Sequence, residues 1–127
     1  LWLYLIKKRI KIAKILQTLK YEYVTQANFP DCTDVGLLRF DFGVYKNNKL
    51  LCLIEYDGEQ HYMPVKFCDI SDDEVQQKLL DTQRRDKIKN DYCLKNNIPL
   101  LRIPYWEKEN MKKIITEYLL NLEESVA

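Results

Sequence analysis

Apolar residues at Leu3, Ile6, Ile10, Ala13 and Leu16 recur every three or four positions and predict an amphipathic helix over 3–19, with lysines opposite. YEYVTQANF (21–29) is aromatic and β-branched enough for a short strand, and Pro30, Asp31, Asp34 and Gly36 predict the loop after it. LLRFDFGVY (37–45) alternates, which places Phe40, Phe42 and Val44 on one face and Asp41 and Tyr45 on the other. KNNK (46–49) is a turn, so the next run, LLCLIEYDG (50–58), closes a β-hairpin with its predecessor. In that run Leu51, Leu53, Glu55 and Asp57 share one face and Leu50, Cys52, Ile54 and Tyr56 the other. Both faces start apolar, as in a central strand covered on each side.

The linker 63–74 reads as loop, with Ser71 placed to cap a helix whose Glu74 follows three residues on. Charged residues from 74 to 95, punctuated by Val75, Leu79, Ile88, Tyr92 and Leu94, predict a long exposed helix that Asn96, Asn97 and Pro99 end. PLLRIPYW (99–106) is a short strand. Met111, Ile114, Ile115, Tyr118, Leu119 and Leu122 then mark an amphipathic helix over 108–122. The expected order is α-β-β-β-α-β-α: a single α/β domain over 1–127, with a mixed sheet of about four strands flanked by helices.

Composition adds bounds. A chain of 127 residues, 46% of them hydrophobic, suits one core. No apolar run reaches the roughly 18 residues of a membrane helix, and LWLYLI lacks the layout of a signal peptide. Cys32, Cys52, Cys68 and Cys93 are scattered and there is one histidine, which argues against a structural zinc site or a disulfide scaffold. An intracellular, reducing compartment is expected. The net charge of +1 hides an uneven distribution: residues 1–20 carry six Lys or Arg and no acid, and residues 78–95 carry six against three. Two basic segments are able to face a polyanion, or to form ordinary solvated helix faces.

The chemistry gathers at the hairpin. With the turn at KNNK, Asp41 falls at or near Glu55 across the two strands, about 5 Å apart, and Asp57, Gln60 and His61 follow directly. Carboxylates crowded in a half-buried place repel one another unless a cation neutralises them. Hard oxygen ligands suit Mg²⁺ or Mn²⁺, and metal-bound water suits phosphodiester hydrolysis. His61 titrates near neutrality and is placed to move a proton.

FDFGVY followed by LLCLIEYDGEQHY, and then RRDKIKNDYCLKNNIPLLRIPYWE, resembles the PD-(D/E)XK restriction-endonuclease-like superfamily. The similarity is to its branch near the very-short-patch-repair endonucleases and the small nuclease-like proteins of phages and mobile elements. It implies a restriction-endonuclease-like core and a Mg²⁺-dependent endonuclease acting on double-stranded DNA. Asp41, Glu55 and Asp57 would be the metal residues, and Gln60 and His61 would complete the catalytic set. Asp57 stands where the superfamily's usual lysine stands, and Arg9 where relatives carry a glutamate in the first helix. The resemblance also implies a patch of Arg85, Asp86 and Lys89 facing the cleft. Lys8, Arg9, Lys11, Arg84, Arg85 and Lys89 are the expected nucleic-acid contacts, with selectivity supplied by a homodimer, a further domain or another subunit. The rival expectation is a nuclease fold that binds DNA or a partner protein without cutting.

Overall fold

The structure is a computed structural model that describes residues 2–66 and 70–126. Its elements are α1 (Trp2–Thr18), β1 (Glu22–Thr33), β2 (Leu37–Lys46), β3 (Lys49–Asp57), α2 (Asp72–Lys95), β4 (Leu100–Pro104) and α3 (Met111–Val126). Short 3₁₀ segments follow β3 and β4, Glu59–His61 after the first and Tyr105–Asn110 after the second. The class and order are those expected from the pattern: an α/β domain with a four-stranded mixed sheet. Part of the expected 63–74 linker, including Cys68, lies outside the described residues. No helix among the described residues is long and apolar enough to cross a membrane.

The sheet order is β1-β2-β3-β4, with β1-β2 and β2-β3 antiparallel and β3-β4 parallel. The β2–β3 turn needs only Asn47 and Asn48, both at positive φ (52° and 62°), a conformation asparagine tolerates and tight hairpins require. β1 runs four residues past its expected end, through Pro30 and Asp31. Proline is accommodated because β1 is an edge strand, and its pairing with β2 is irregular between Asn28 and Thr33.

Helices cover both faces. One cluster joins Ile12, Ile15 and Leu16 of α1 and Met111, Ile115 and Leu119 of α3 to Phe42, Val44, Cys52, Ile54, Tyr56 and Ile103. The other joins Leu38, Phe40, Leu53, Ala27 and Cys32 to Cys93, with Ile88 and Tyr92 of α2 against it. Leu119 is fully enclosed between α3 and the sheet. Leu119→Ala is therefore expected to cost about 2–5 kcal/mol in urea unfolding; a cost below about 1 kcal/mol would show that this face repacks freely.

Four details of the expected pattern are corrected. Of the expected α1 stripe, Leu16 is buried and Ala13 packs against the core, but Leu3 and Ile10 are 59% and 49% exposed. Leu5, Ile12 and Ile15 pack inward in their place, and that rotation carries Arg9 toward the sheet. Phe40 does not share a face with Phe42 and Val44: the strand changes phase at Asp41, and Phe40 packs toward α2. Leu50 likewise joins Leu53, because an irregularity beside Val44 and Tyr45 leaves Leu51 unpaired. In α2, Leu94 is exposed and its neighbour Cys93 takes the buried position.

Candidate active site

β2 and β3 remain laddered only as far as Phe42 opposite Ile54. One step further, where Asp41 would face Glu55, the strands part and the side chains take over the hydrogen bonding. The Asp41 backbone N–H donates to Glu55 Oε1 at 2.7 Å, and the Tyr56 N–H donates to Asp41 Oδ2 at 2.8 Å. Each carboxylate is thus fixed by a main-chain donor of the other strand. This fork satisfies backbone groups that strand separation would leave unpaired, and it holds two acids together in the interior. Asp41 is 7% exposed and Glu55 3%.

Burial first, and then the neighbouring Asp41 charge, push the Glu55 carboxyl well above the ordinary carboxylate range, while Lys89 pulls it back. Each acid also has a side-chain cation on its remaining oxygen. Arg9 of α1 donates to Asp41 Oδ1 through Nε at 3.1 Å, and a terminal guanidinium nitrogen stands 3.1 Å from the same oxygen. Lys89 of α2 donates to Glu55 Oε2 at 2.9 Å, with its ammonium 5.2 Å from the centre of the Phe40 ring.

The adjoining cluster is organised by Arg102, whose register explains its place. β4 is paired so that Arg102 lies beside Glu55 on β3, with its side chain on the α2 face. Its guanidinium donates to both oxygens of Asp57 (2.9 and 3.1 Å), to Asn90 Oδ1 (2.8 Å) and to the Asp86 carbonyl (3.3 Å). The Asp86 carboxylate in turn bonds His61 Nδ1 at 2.6 Å. Burial raises the Asp57 carboxyl above its usual value despite Arg102 and His61. For His61, burial alone would lower the pKa, but the Asp86 hydrogen bond and the charges of Asp57, Asp86 and Glu55 outweigh it and hold the imidazole above its ordinary value.

Two groups of acids are therefore distinguishable. Asp57, His61 and Asp86 each offer a ligand atom within 4.8 Å of the others, but the Arg102 guanidinium already stands against both carboxylates. Asp57 serves there as its clamp. Asp41 and Glu55 offer one oxygen each toward solvent-side cations. That donor set fits Mg²⁺ or Mn²⁺, which bind through one or two carboxylates and complete their shells with water and phosphate. The expected set of Asp41, Glu55 and Asp57 is thus divided: Asp41 and Glu55 share the fork, paired with Arg9 and Lys89, and Asp57 stands apart against Arg102.

Gln60 and His61 line an open cleft of about 450 Å³ together with Arg39, Arg85, Asp86 and Lys89. Gln60 folds against Gly58, where an added Cβ would meet its Oε1 at 2.5 Å. That oxygen is buried without a hydrogen-bond partner. Of the expected nucleic-acid contacts, Arg85 and Lys89 face this cleft. Lys11 donates to the Lys108 carbonyl, and Lys8 sits over the Tyr4 ring. Arg84 is engaged elsewhere, ion-paired to Asp34 and Asp81. Tyr62, whose hydroxyl is 3.5 Å from Asp57, and the exposed Trp106 form an aromatic wall beside the acids, with ring centres 4.9 Å apart.

Arg102 is not among the residues the sequence pattern assigns to the site, yet it organises this cluster. Its apolar flanks, LLRIP, were the available signal: a lone arginine in a short buried strand requires an internal acid.

Residues 4–121 match a family described as Protein of unknown function (DUF2726). Neither a curated protein nor a solved structure matches the chain.

Proposed function

The chain belongs to the DUF2726 family, and we propose that it is a metal-dependent endonuclease acting on DNA, built on a restriction-endonuclease-like plan. The observation that carries this reading is the fork at which Asp41 and Glu55 replace the β2–β3 ladder, each held by the other strand's backbone. Rigid, paired carboxylates at the end of a buried strand are costly to fold and suit a site that needs preset charge. The sequence resemblance to PD-(D/E)XK nucleases supports the same reading.

Held by Asp41 and Glu55, Mg²⁺ or Mn²⁺ would supply a Lewis acid for the phosphoryl oxygens and a lowered pKa for attacking water. The protein's own groups do the rest. Arg85 and Lys89 on the cleft wall offer charge to the phosphates of a bound strand. His61 has Nδ1 bonded to Asp86, which leaves Nε2 as the nitrogen for proton exchange. Because its pKa is raised, the imidazole is charged over a wider range and serves best as the acid that protonates the departing oxygen.

Nicking of supercoiled DNA with Mg²⁺ or Mn²⁺, comparing the wild type with His61→Gln, tests this. The variant is expected to lose about 10²–10⁴-fold in rate. The wild-type rate is expected to fall as pH rises through the His61 pKa, above 6.5, and the variant to lack that alkaline limb. An unchanged limb in His61→Gln removes His61 from proton transfer. A second reading, a nuclease fold that binds DNA without cutting, draws on the cations beside every acid: Arg9, Lys89 and Arg102. Binding with no metal-dependent nicking by the wild type would favour it.

A further inference from the structure

The three cations of the site differ in how firmly they are planted. Arg102 is 20% exposed at its side chain and donates to acceptors on Asp57, Asn90 and Asp86. Lys89 is 12% exposed and packs over Phe40. Arg9 is 41% exposed, and both of its contacts fall on one oxygen, Asp41 Oδ1. The guanidinium end of this pair reaches solvent and can be rehydrated as it leaves, while the buried Asp41 carboxylate then needs another cation, which a divalent ion would supply. Among the described residues Arg9 is the one cation bonded to Asp41. Its helix also presents Lys7, Lys8 and Lys11, with no acid between residues 1 and 20.

We infer that Arg9 is a latch on the metal site: in the free protein it occupies Asp41, and a nucleic-acid phosphate draws it away and opens that oxygen to a divalent ion. This rests on the endonuclease reading and adds its regulation. Arg9 and a divalent ion compete for the same oxygen, and like charges held so close oppose each other. A phosphate is a better partner for a guanidinium than a carboxylate already satisfied by the Tyr56 N–H. Substrate and metal therefore help each other bind, and by linkage each strengthens the other by the same factor. The free protein would hold its ion weakly and load it when DNA is present.

The test is Mn²⁺ binding by titration calorimetry, with and without a hydrolysis-resistant phosphorothioate DNA duplex, subtracting a titration of duplex alone. For the wild type the duplex is expected to tighten Mn²⁺ binding about tenfold, within the range common for coupled sites. Arg9→Gln is expected to bind Mn²⁺ about tenfold tighter than wild type without DNA and to lose most of the coupling. Arg9→Lys, which retains the charge, should keep the coupling. Thermal melting checks that both variants are folded; Arg9→Gln, which leaves the buried Asp41 without its cation, is expected to melt below Arg9→Lys. If the wild type binds Mn²⁺ and Arg9→Gln shows the same affinity and coupling, the latch is wrong and the endonuclease reading survives. If no protein binds Mn²⁺ with or without the duplex, both are overturned.

Discussion

Arg102→Met is expected to destabilise the domain by about 3–5 kcal/mol, the usual cost of removing one partner from a buried ionic cluster. For a chain of this size that lowers Tm by roughly 10–20 °C. Asp57 is 2% exposed and presents both oxygens to the same guanidinium nitrogen, so its charge would be left in the interior with His61, 3.6 Å away, as its counter-ion only while the imidazole is protonated. The effect should depend on pH, with a definite sign. The Asp57 pKa is already raised in the folded state by burial, against the pull of Arg102, and loss of Arg102 raises it further. A group whose folded pKa is raised contributes stability present at low pH, and that contribution is lost as pH rises through the folded value. The penalty is therefore largest at neutral and alkaline pH and shrinks as pH falls toward the raised Asp57 pKa. Urea unfolding of wild type and variant at about pH 5 and pH 8 measures both features. Arg102→Lys should recover only part of the loss, because an ammonium cannot reach Asn90, Asp57 and the Asp86 carbonyl together. Should Arg102→Met cost less than about 1 kcal/mol at pH 8, water already relieves the cluster and the arginine is not its keystone.

How much of this could be read beforehand follows from which interactions are local. The element order was legible because period and capping are local signals. Ser71 does cap α2, accepting the Glu74 N–H at 3.2 Å as the S-x-x-E spacing suggested. The proximity of Asp41 to Glu55 was legible because a short hairpin turn fixes register arithmetically. The phase change between Phe40 and Phe42 was not. It arises where the strands part and carboxylates replace the ladder, a tertiary compromise that alternation alone does not encode. The same holds for Arg9. Periodicity places Leu3, Ile6, Ile10, Ala13 and Leu16 on one stripe of α1, of which Leu3 and Ile10 turn outward, and only packing against the sheet sets the rotation at which Arg9 meets an acid 32 positions away. Lys89 and Arg102 reach Glu55 and Asp57 through a helix crossover between parallel strands, and the registration of that crossover is invisible to spacing in the chain.

Where Arg102→Met should strike stability, Asp41→Asn should strike chemistry: cleavage is expected to fall about 10³-fold while the fold stays near wild type. The asymmetry comes from what each oxygen does. Asparagine at 41 can still accept the Tyr56 N–H that Asp41 Oδ2 now accepts, and the backbone N–H donated to Glu55 Oε1 is untouched. What disappears is one buried negative charge whose side-chain partner, Arg9, is 41% exposed and readily hydrated. The stability cost should therefore stay near the 0–1 kcal/mol of a surface pair. Loss of the Asp41 oxygen removes half of the protein's hard ligands to a divalent ion. A bound metal supplies several kcal/mol of charge stabilisation, and at 1.36 kcal/mol per tenfold that is about three decades of rate. DNA affinity should move the other way. With a negative charge gone and Arg9 released, binding measured at fixed salt is expected to be equal or tighter than wild type, with a steeper dependence on salt by about one phosphate contact. The three readouts, nicking rate, melting temperature and salt-resolved binding, distinguish this from general damage, which would lower all of them together. An Asp41→Asn protein that nicks DNA within about tenfold of wild type would show that the fork does not hold the metal, and the endonuclease proposal would fall with it.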